Sequence, residues 1–172
     1  TTISLLKIAT NVCERSERSA MELCSPKVAS SKGLHVMLCD EIKKLKPAPG
    51  ENWHMEKICV CSQLLRCLAS VSRLDVAFEA IFKEKVLSSV GKYVIKQQPP
   101  MHPMIVASSL KLLTSILQQL REKRNASSSD GRSEWLERQK NISRKYVEDP
   151  SRVLNMIDDR NVLYSRLCDQ VV

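Results

Sequence analysis

Glycine is scarce in this 172-residue chain, at 4 residues, and aromatic side chains make up only 4%. Turn-dense sandwiches and barrels need more glycine than this, so an all-β architecture is excluded at the outset. Four glycines also leave no material for a Gly-rich phosphate loop. No apolar run approaches the roughly 20 residues that a membrane-spanning helix requires, and no membrane partner is expected. The three histidines stand apart: His35 opens a helical pattern, His54 follows Trp53, and His102 lies between prolines. No Ser/His/Asp or Cys/His constellation follows from such spacing. The acid pairs Asp40-Glu41 and Asp158-Asp159 need no more than a solvated or capping role. The expectation is a protein without catalysis and without a cofactor.

Cysteine is present but in an odd number: Cys13, Cys24, Cys39, Cys59, Cys61, Cys67 and Cys168. Several of these occupy places where Leu or Ala would serve in a helix, the pattern of small buried hydrophobes rather than a disulfide framework. His54, Cys59, Cys61 and Cys67 resemble a zinc set only at first sight. Structural zinc needs four ligands converging at tetrahedral angles, whereas these lie along one helix with Cys59 and Cys61 on different faces. No metal is expected, and free thiols suit an intracellular compartment, nuclear or cytoplasmic. Asn125-Ala-Ser and Asn141-Ile-Ser match the glycosylation sequon, as chance allows in a Ser-rich chain. The chain opens Thr-Thr-Ile-Ser-Leu-Leu in helical pattern, without an initiator Met or signal peptide, and is expected to be part of a larger protein.

What the sequence does contain is helix. Hydrophobic residues make up 43%, with Leu, Ala, Ser, Lys and Glu dominant and apolar positions at helical spacing. The spacing predicts a first helix over 3–23 on Leu6, Ala9, Cys13, Ala20 and Leu23, ended by Ser25-Pro26. A second spans 31–45 on Leu34, Leu38, Ile42 and Leu45, with Lys43, Lys44 and Lys46 complementing its C-terminal dipole. After Pro47-Ala48-Pro49-Gly50 comes a long helix over 51–72, whose wide apolar face (Ile58, Cys61, Leu64, Leu65, Cys67, Leu68, Val71) suits an inner position. Shorter helices follow over 74–82 and 85–96. A proline-rich turn then leads to a helix over 104–123 on Val106, Leu110, Leu113 and Leu117. Residues 125–132 read as a flexible loop. Two final helices are expected, one capped by Ser133 and running to Val147, the other starting at Asp149-Pro150. No strand reading survives.

Three stretches repeat one phrase: Leu6-Lys7-Ile8-Ala9-Thr10-Asn11-Val12, Leu65-Arg66-Cys67-Leu68-Ala69-Ser70-Val71 and Leu110-Lys111-Leu112-Leu113-Thr114-Ser115-Ile116. A repeated helical unit buries its apolar face by stacking on a neighbour. With the helices around it, the phrase resembles the armadillo/HEAT-type α-solenoids over about 1–124, and best over 58–120. The resemblance implies a stack of helices with a concave groove for a partner, residues 133–172 forming a helical pair that packs on or extends the stack. Where armadillo proteins carry a groove Asn, this chain has Asn11, Ser70 and Ser115. Where peptide-gripping members place a Trp one turn earlier, it has Lys7, Arg66 and Lys111, which suits an acidic ligand instead of a nuclear signal.

Residues four apart share a helix face, so each basic residue and its small polar partner form a stripe, extended by Ser62 and Arg73 on the second copy and by Ser108 and Gln118 on the third. Leu65, Leu68, Leu110 and Leu113 are expected between consecutive helices. The function this supports is a non-catalytic scaffold binding a helix or extended acidic segment of a protein partner. The alternative is a nucleic-acid-binding domain. The net charge is +8, densest in Arg121, Lys123, Arg124, Arg132, Arg138, Lys140, Arg144 and Lys145, and phosphate neutralisation needs clustered cations. On that alternative Arg138, Lys140, Arg144 and Lys145 form the binding surface. Trp135 and Tyr146 are the only aromatics near them, and Trp135 reads as a helix anchor.

Overall fold

The computed structural model describes residues 2–25, 32–45, 53–95 and 102–128, with residues 146, 149, 152, 153 and 155 beyond them. Its helices are α1 (Thr2–Arg15), α2 (Glu17–Cys24), α3 (Leu34–Lys44), α4 (Met55–Val71), α5 (Asp75–Lys83), α6 (Val86–Ile95) and α7 (Pro103–Ser128). No strand occurs among the described residues. The helices expected over 133–147 and from Asp149-Pro150 onward lie almost entirely outside those residues. So do Arg132, Arg138, Lys140, Arg144, Lys145, Trp135, Cys168, the Asn141 sequon and the pair Asp158-Asp159. In that region Tyr146 stacks on Phe82 with ring centroids 4.5 Å apart, Val153 is buried, and Arg152 pairs with Asp149 at 3.2 Å.

Local chemistry accounts for the boundaries. The helix expected over 3–23 is two helices, because Ser16 takes an extended conformation and its Oγ accepts the Ser19 N–H at 3.2 Å. A serine cap with Glu17 in the following turn starts a new helix even where apolar spacing continues across it. The break also turns the second half of the stripe, so that Cys24 is buried and Leu23 is exposed. α7 starts on Pro103, a favoured first helical residue, and the His102 ring Nδ1 accepts the Met104 N–H at 3.3 Å. At its other end α7 continues through Ser128, so the first residues of the expected loop are helical. No Gly or Pro stands between Pro103 and Ser128 to stop it. Between α5 and α6 the chain turns at Lys85, which adopts a left-handed φ of 53°.

Three long helices lie side by side. Thr10 of α1 lies beside the Cys67 thiol on α4, and three residues further along both helices Cys13 lies beside Ser70. The Arg73 guanidinium then donates to the Cys13 carbonyl at 2.6 Å. On the other side of α4, the Ser62 and Ser108 hydroxyls are 2.7 Å apart, and further along Lys123 of α7 pairs with Asp75. Residue numbers rise together across both joints, so α1, α4 and α7 run in the same direction. Parallel neighbours need a return path, and the pairs α2–α3 and α5–α6 supply it. The helix lengths repeat accordingly: 8, 11 and 17 residues for α2, α3 and α4, then 9, 10 and 26 for α5, α6 and α7.

α4 is the inner helix its wide apolar face predicted. Ile58, Cys61, Leu64, Leu65, Cys67, Leu68 and Val71 are all buried. α7 departs from expectation. Its buried side is Ile105, Leu112, Leu113, Ile116 and Leu120, while Leu110 and Leu117 are exposed and Val106 is half-buried. Leu110 is therefore not a core leucine, although Leu65, Leu68 and Leu113 are. Burial of α7 is set by the side it turns to α4, and its apolar positions read alone allow a stripe shifted by one or two residues.

The return path closes through Gly33, the N-cap of α3. A Cβ there would lie 2.2 Å from the Cys24 carbonyl oxygen and 2.8 Å from the His35 ring, so only glycine lets the two helices approach. On the outer layer Lys43 of α3 pairs with Glu84 at the end of α5 and with Asp40 at 3.5 Å.

Candidate partner-binding cleft

The stripe residues of the second and third phrases meet. Ser62, Arg66, Met104, Ala107, Ser108 and Lys111 line an open cleft of about 270 Å³ between α4 and α7. Parallel packing in near-register causes this, because it brings equivalent positions of neighbouring helices to the same level. The serines do not form an exposed stripe: both are buried at the cleft floor, bonded to each other, and Ser108 also donates to the Met104 carbonyl at 2.8 Å. Buried hydroxyls satisfied in this way hold the floor in place at little cost. Met104 and Ala107 are exposed and give the cleft an apolar wall.

Arg66 and Lys111 are both exposed, and an acid stands with them. Lys111 Nζ of α7 reaches Glu14 Oε1 of α1 at 2.8 Å, spanning the groove over α4. That bond, helped by the charges of Lys111, Arg66 and Arg73, holds the Glu14 carboxyl below the usual range. The groove thus presents Arg66, Arg73 and Lys111 around one carboxylate of the chain itself. The face of α1 that carries Glu14 is legible in sequence, since Glu14 follows Lys7 by seven residues and Asn11 by three, but its partner on α7 is not. The repeated phrase ends at Val12 and leaves Glu14 out.

The other phrase residues divide. Lys7 and Asn11 are exposed on α1, on the face that carries Glu14, but they do not line the cleft. Ser70 is half-buried and donates to the Cys67 carbonyl at 2.7 Å, back along its own helix. Ser115 is half-buried one turn beyond Lys111. Gln118 is exposed and donates to Glu122 at 2.9 Å. Of the six residues expected in one groove, the cleft itself brings together Arg66 and Lys111.

Among the described residues, no three His, Cys, Asp or Glu side chains converge on a point where an ion could sit. Burial pushes the thiols of Cys39 and Cys61 up to about 12 and that of Cys67 to about 11, which leaves them neutral and poorly nucleophilic. His35 is buried with no hydrogen-bond partner for Nδ1, and burial lowers its pKa. No helix among the described residues is long and apolar enough to cross a membrane. Comparisons with protein-family models, with curated proteins and with solved structures found no match.

Proposed function

We propose that the chain is a non-catalytic interaction module, an armadillo/HEAT-type helical stack whose α4–α7 cleft receives an acidic segment of an intracellular protein partner. The observation that carries this reading is Arg66 and Lys111 on one open cleft with an apolar wall from Met104 and Ala107. Support for the stack comes from the repeated order of short, medium and long helices and from the parallel run of α1, α4 and α7. An exposed ion pair contributes at most about 1 kcal/mol, so the two cations select a ligand while an apolar side chain against Met104 anchors it. The Glu14–Lys111 bond occupies one cation in the absence of ligand. Its exchange for a ligand carboxylate is nearly neutral, since both pairs are exposed.

The test uses a fluorescein-labelled peptide of alternating Glu and Leu, followed by anisotropy at low and high salt. Arg66→Glu with Lys111→Gln should weaken binding at least tenfold and leave helicity and the melting midpoint nearly unchanged. Loss of salt dependence should accompany it, as screening acts on exposed charge. Retention of full affinity would overturn the cleft as the site. Tighter binding of a single-stranded oligonucleotide than of the peptide, abolished by reversal of Arg138, Lys140, Arg144 and Lys145, would replace the reading with nucleic-acid binding.

A further inference from the structure

Each long helix has two sides in the stack, and the three phrases allow them to be compared position by position. The front of α4 is Leu64, Cys67 and Val71, turned to α1, as the contact of Cys67 with Thr10 requires. The equivalent positions of α7 are Ser109, Leu112 and Ile116, turned to α4. All six are buried. The same positions in α1 are Leu5, Ile8 and Val12, exposed by 69, 60 and 38%.

The back sides show the converse. Leu6, Thr10 and Cys13 of α1 are buried by α4, and Leu65 and Ala69 of α4 with its C-cap Ser72 are buried on the side that carries Ser62 toward α7. Their equivalents in α7 are Leu110, Thr114 and Leu117, with the two leucines exposed by 49 and 39%. Scattered exposed leucines need no explanation, but two stripes in this register do. Among the described residues nothing covers either stripe, and together they match the two halves of a joint that the chain forms twice within itself.

We propose that the chain associates head to tail with a second copy of itself, the back of α7 in one copy packing on the front of α1 in the next. The chemistry of the two sides fits. Leu110, Thr114 and Leu117 present the apolar–hydroxyl–apolar order of Leu6, Thr10 and Cys13. Thr10 is buried in its joint because its hydroxyl donates to the Leu6 carbonyl at 2.7 Å, and Thr114 has the Leu110 carbonyl in the same place four residues back. Leu5, Ile8, Ala9 and Val12, with Leu23 of α2, form a cleft of about 360 Å³ rimmed by Glu22. Glu22 pairs with Arg18 at 3.4 Å on that rim, and Arg121 stands one turn beyond Leu117 on the opposing side, where it offers the Glu22 carboxylate a second cation. The contact is heterologous and does not close on itself, and it lengthens the stack with each added copy. It uses none of the residues lining the α4–α7 cleft.

Sedimentation velocity of the whole chain over a rising concentration series tests it. The average mass should climb past that of a dimer. Ile8→Glu and Leu110→Glu should each lower the association constant roughly a hundredfold, because each buries an unpaired charge in the joint. Mixed in equal amounts, the two variants should form a dimer and stop there, since one keeps an intact back and the other an intact front. Both sites are exposed, so circular dichroism should match the parent; should either variant lose helicity, Leu5→Gln and Leu117→Gln replace it. A parent that stays monomeric throughout would overturn the proposal. So would association abolished by Ile8→Glu and untouched by Leu110→Glu, the mark of a two-fold contact between α1 faces.

Discussion

Leu110 and Leu112 stand two residues apart on α7 and should respond to the same truncation in opposite measure. Leu112 is fully buried on the side turned to α4. Leu112→Ala removes three carbons from that joint, a transfer loss of about 2.4 kcal/mol at roughly 0.8 kcal/mol per buried CH₂. The remaining hole adds to it. Two long parallel helices joined by the Ser62–Ser108 bond, with Lys123 of α7 also tied to Asp75 at the start of α5, cannot close up freely, which brings the expected cost to about 3–4 kcal/mol. Leu110 already has about half its surface in water. Leu110→Ala forfeits about 1 kcal/mol of transfer and opens no cavity, and alanine's better helix propensity returns a few tenths. The assay is urea denaturation followed by far-UV circular dichroism, with unchanged m-values as the check that both variants unfold from a comparable native state. It must be run dilute, where no second copy covers α7. Equal costs for the two variants would refute the reasoning, because α7 would then be rotated by roughly 100°, the angle of one residue, relative to the packing described.

Gly33→Ala should destabilise by about 1–3 kcal/mol in the same assay, since the added methyl meets the Cys24 carbonyl, which is backbone and cannot swing aside. His35 gives a pH dependence of definite sign. Its folded pKa lies below the unfolded value, so the unfolded chain takes up the proton first and stability falls as pH drops below about 6.5 toward the folded pKa. His35→Gln should flatten that part of a melting-midpoint profile. Alkylation by iodoacetamide at neutral pH should label the half-buried Cys59 before Cys39, Cys61 or Cys67, as peptide mass spectrometry of a time course would reveal. Glu14→Gln frees Lys111 from its exposed pair and should tighten binding of the acidic peptide by up to about fivefold, the equivalent of at most roughly 1 kcal/mol. An unchanged or weakened affinity would mean that Lys111 does not meet the ligand.

The helical character of this chain was legible residue by residue, because apolar spacing and scarce glycine are local properties. So was the interior place of α4, whose apolar positions spread too far round the helix to face a single neighbour. The repeated phrase located the three helices that lie side by side and put Arg66 and Lys111 on a common cleft. Which side of α7 is buried could not be read in the same way. Its leucines and isoleucines allow more than one stripe, and the choice between Leu110 and Leu112 was made by the position of α4. Ser62 and Ser108 look like surface hydroxyls in sequence and become a buried pair only because two helices 46 residues apart meet there. Glu14 entered the groove for the same reason: its partner is 97 residues away, and no local spacing encodes that distance. Periodicity tells a helix which of its faces are apolar; tertiary packing decides which of them is covered, and among the described residues it leaves Ile8 and Leu110 in water.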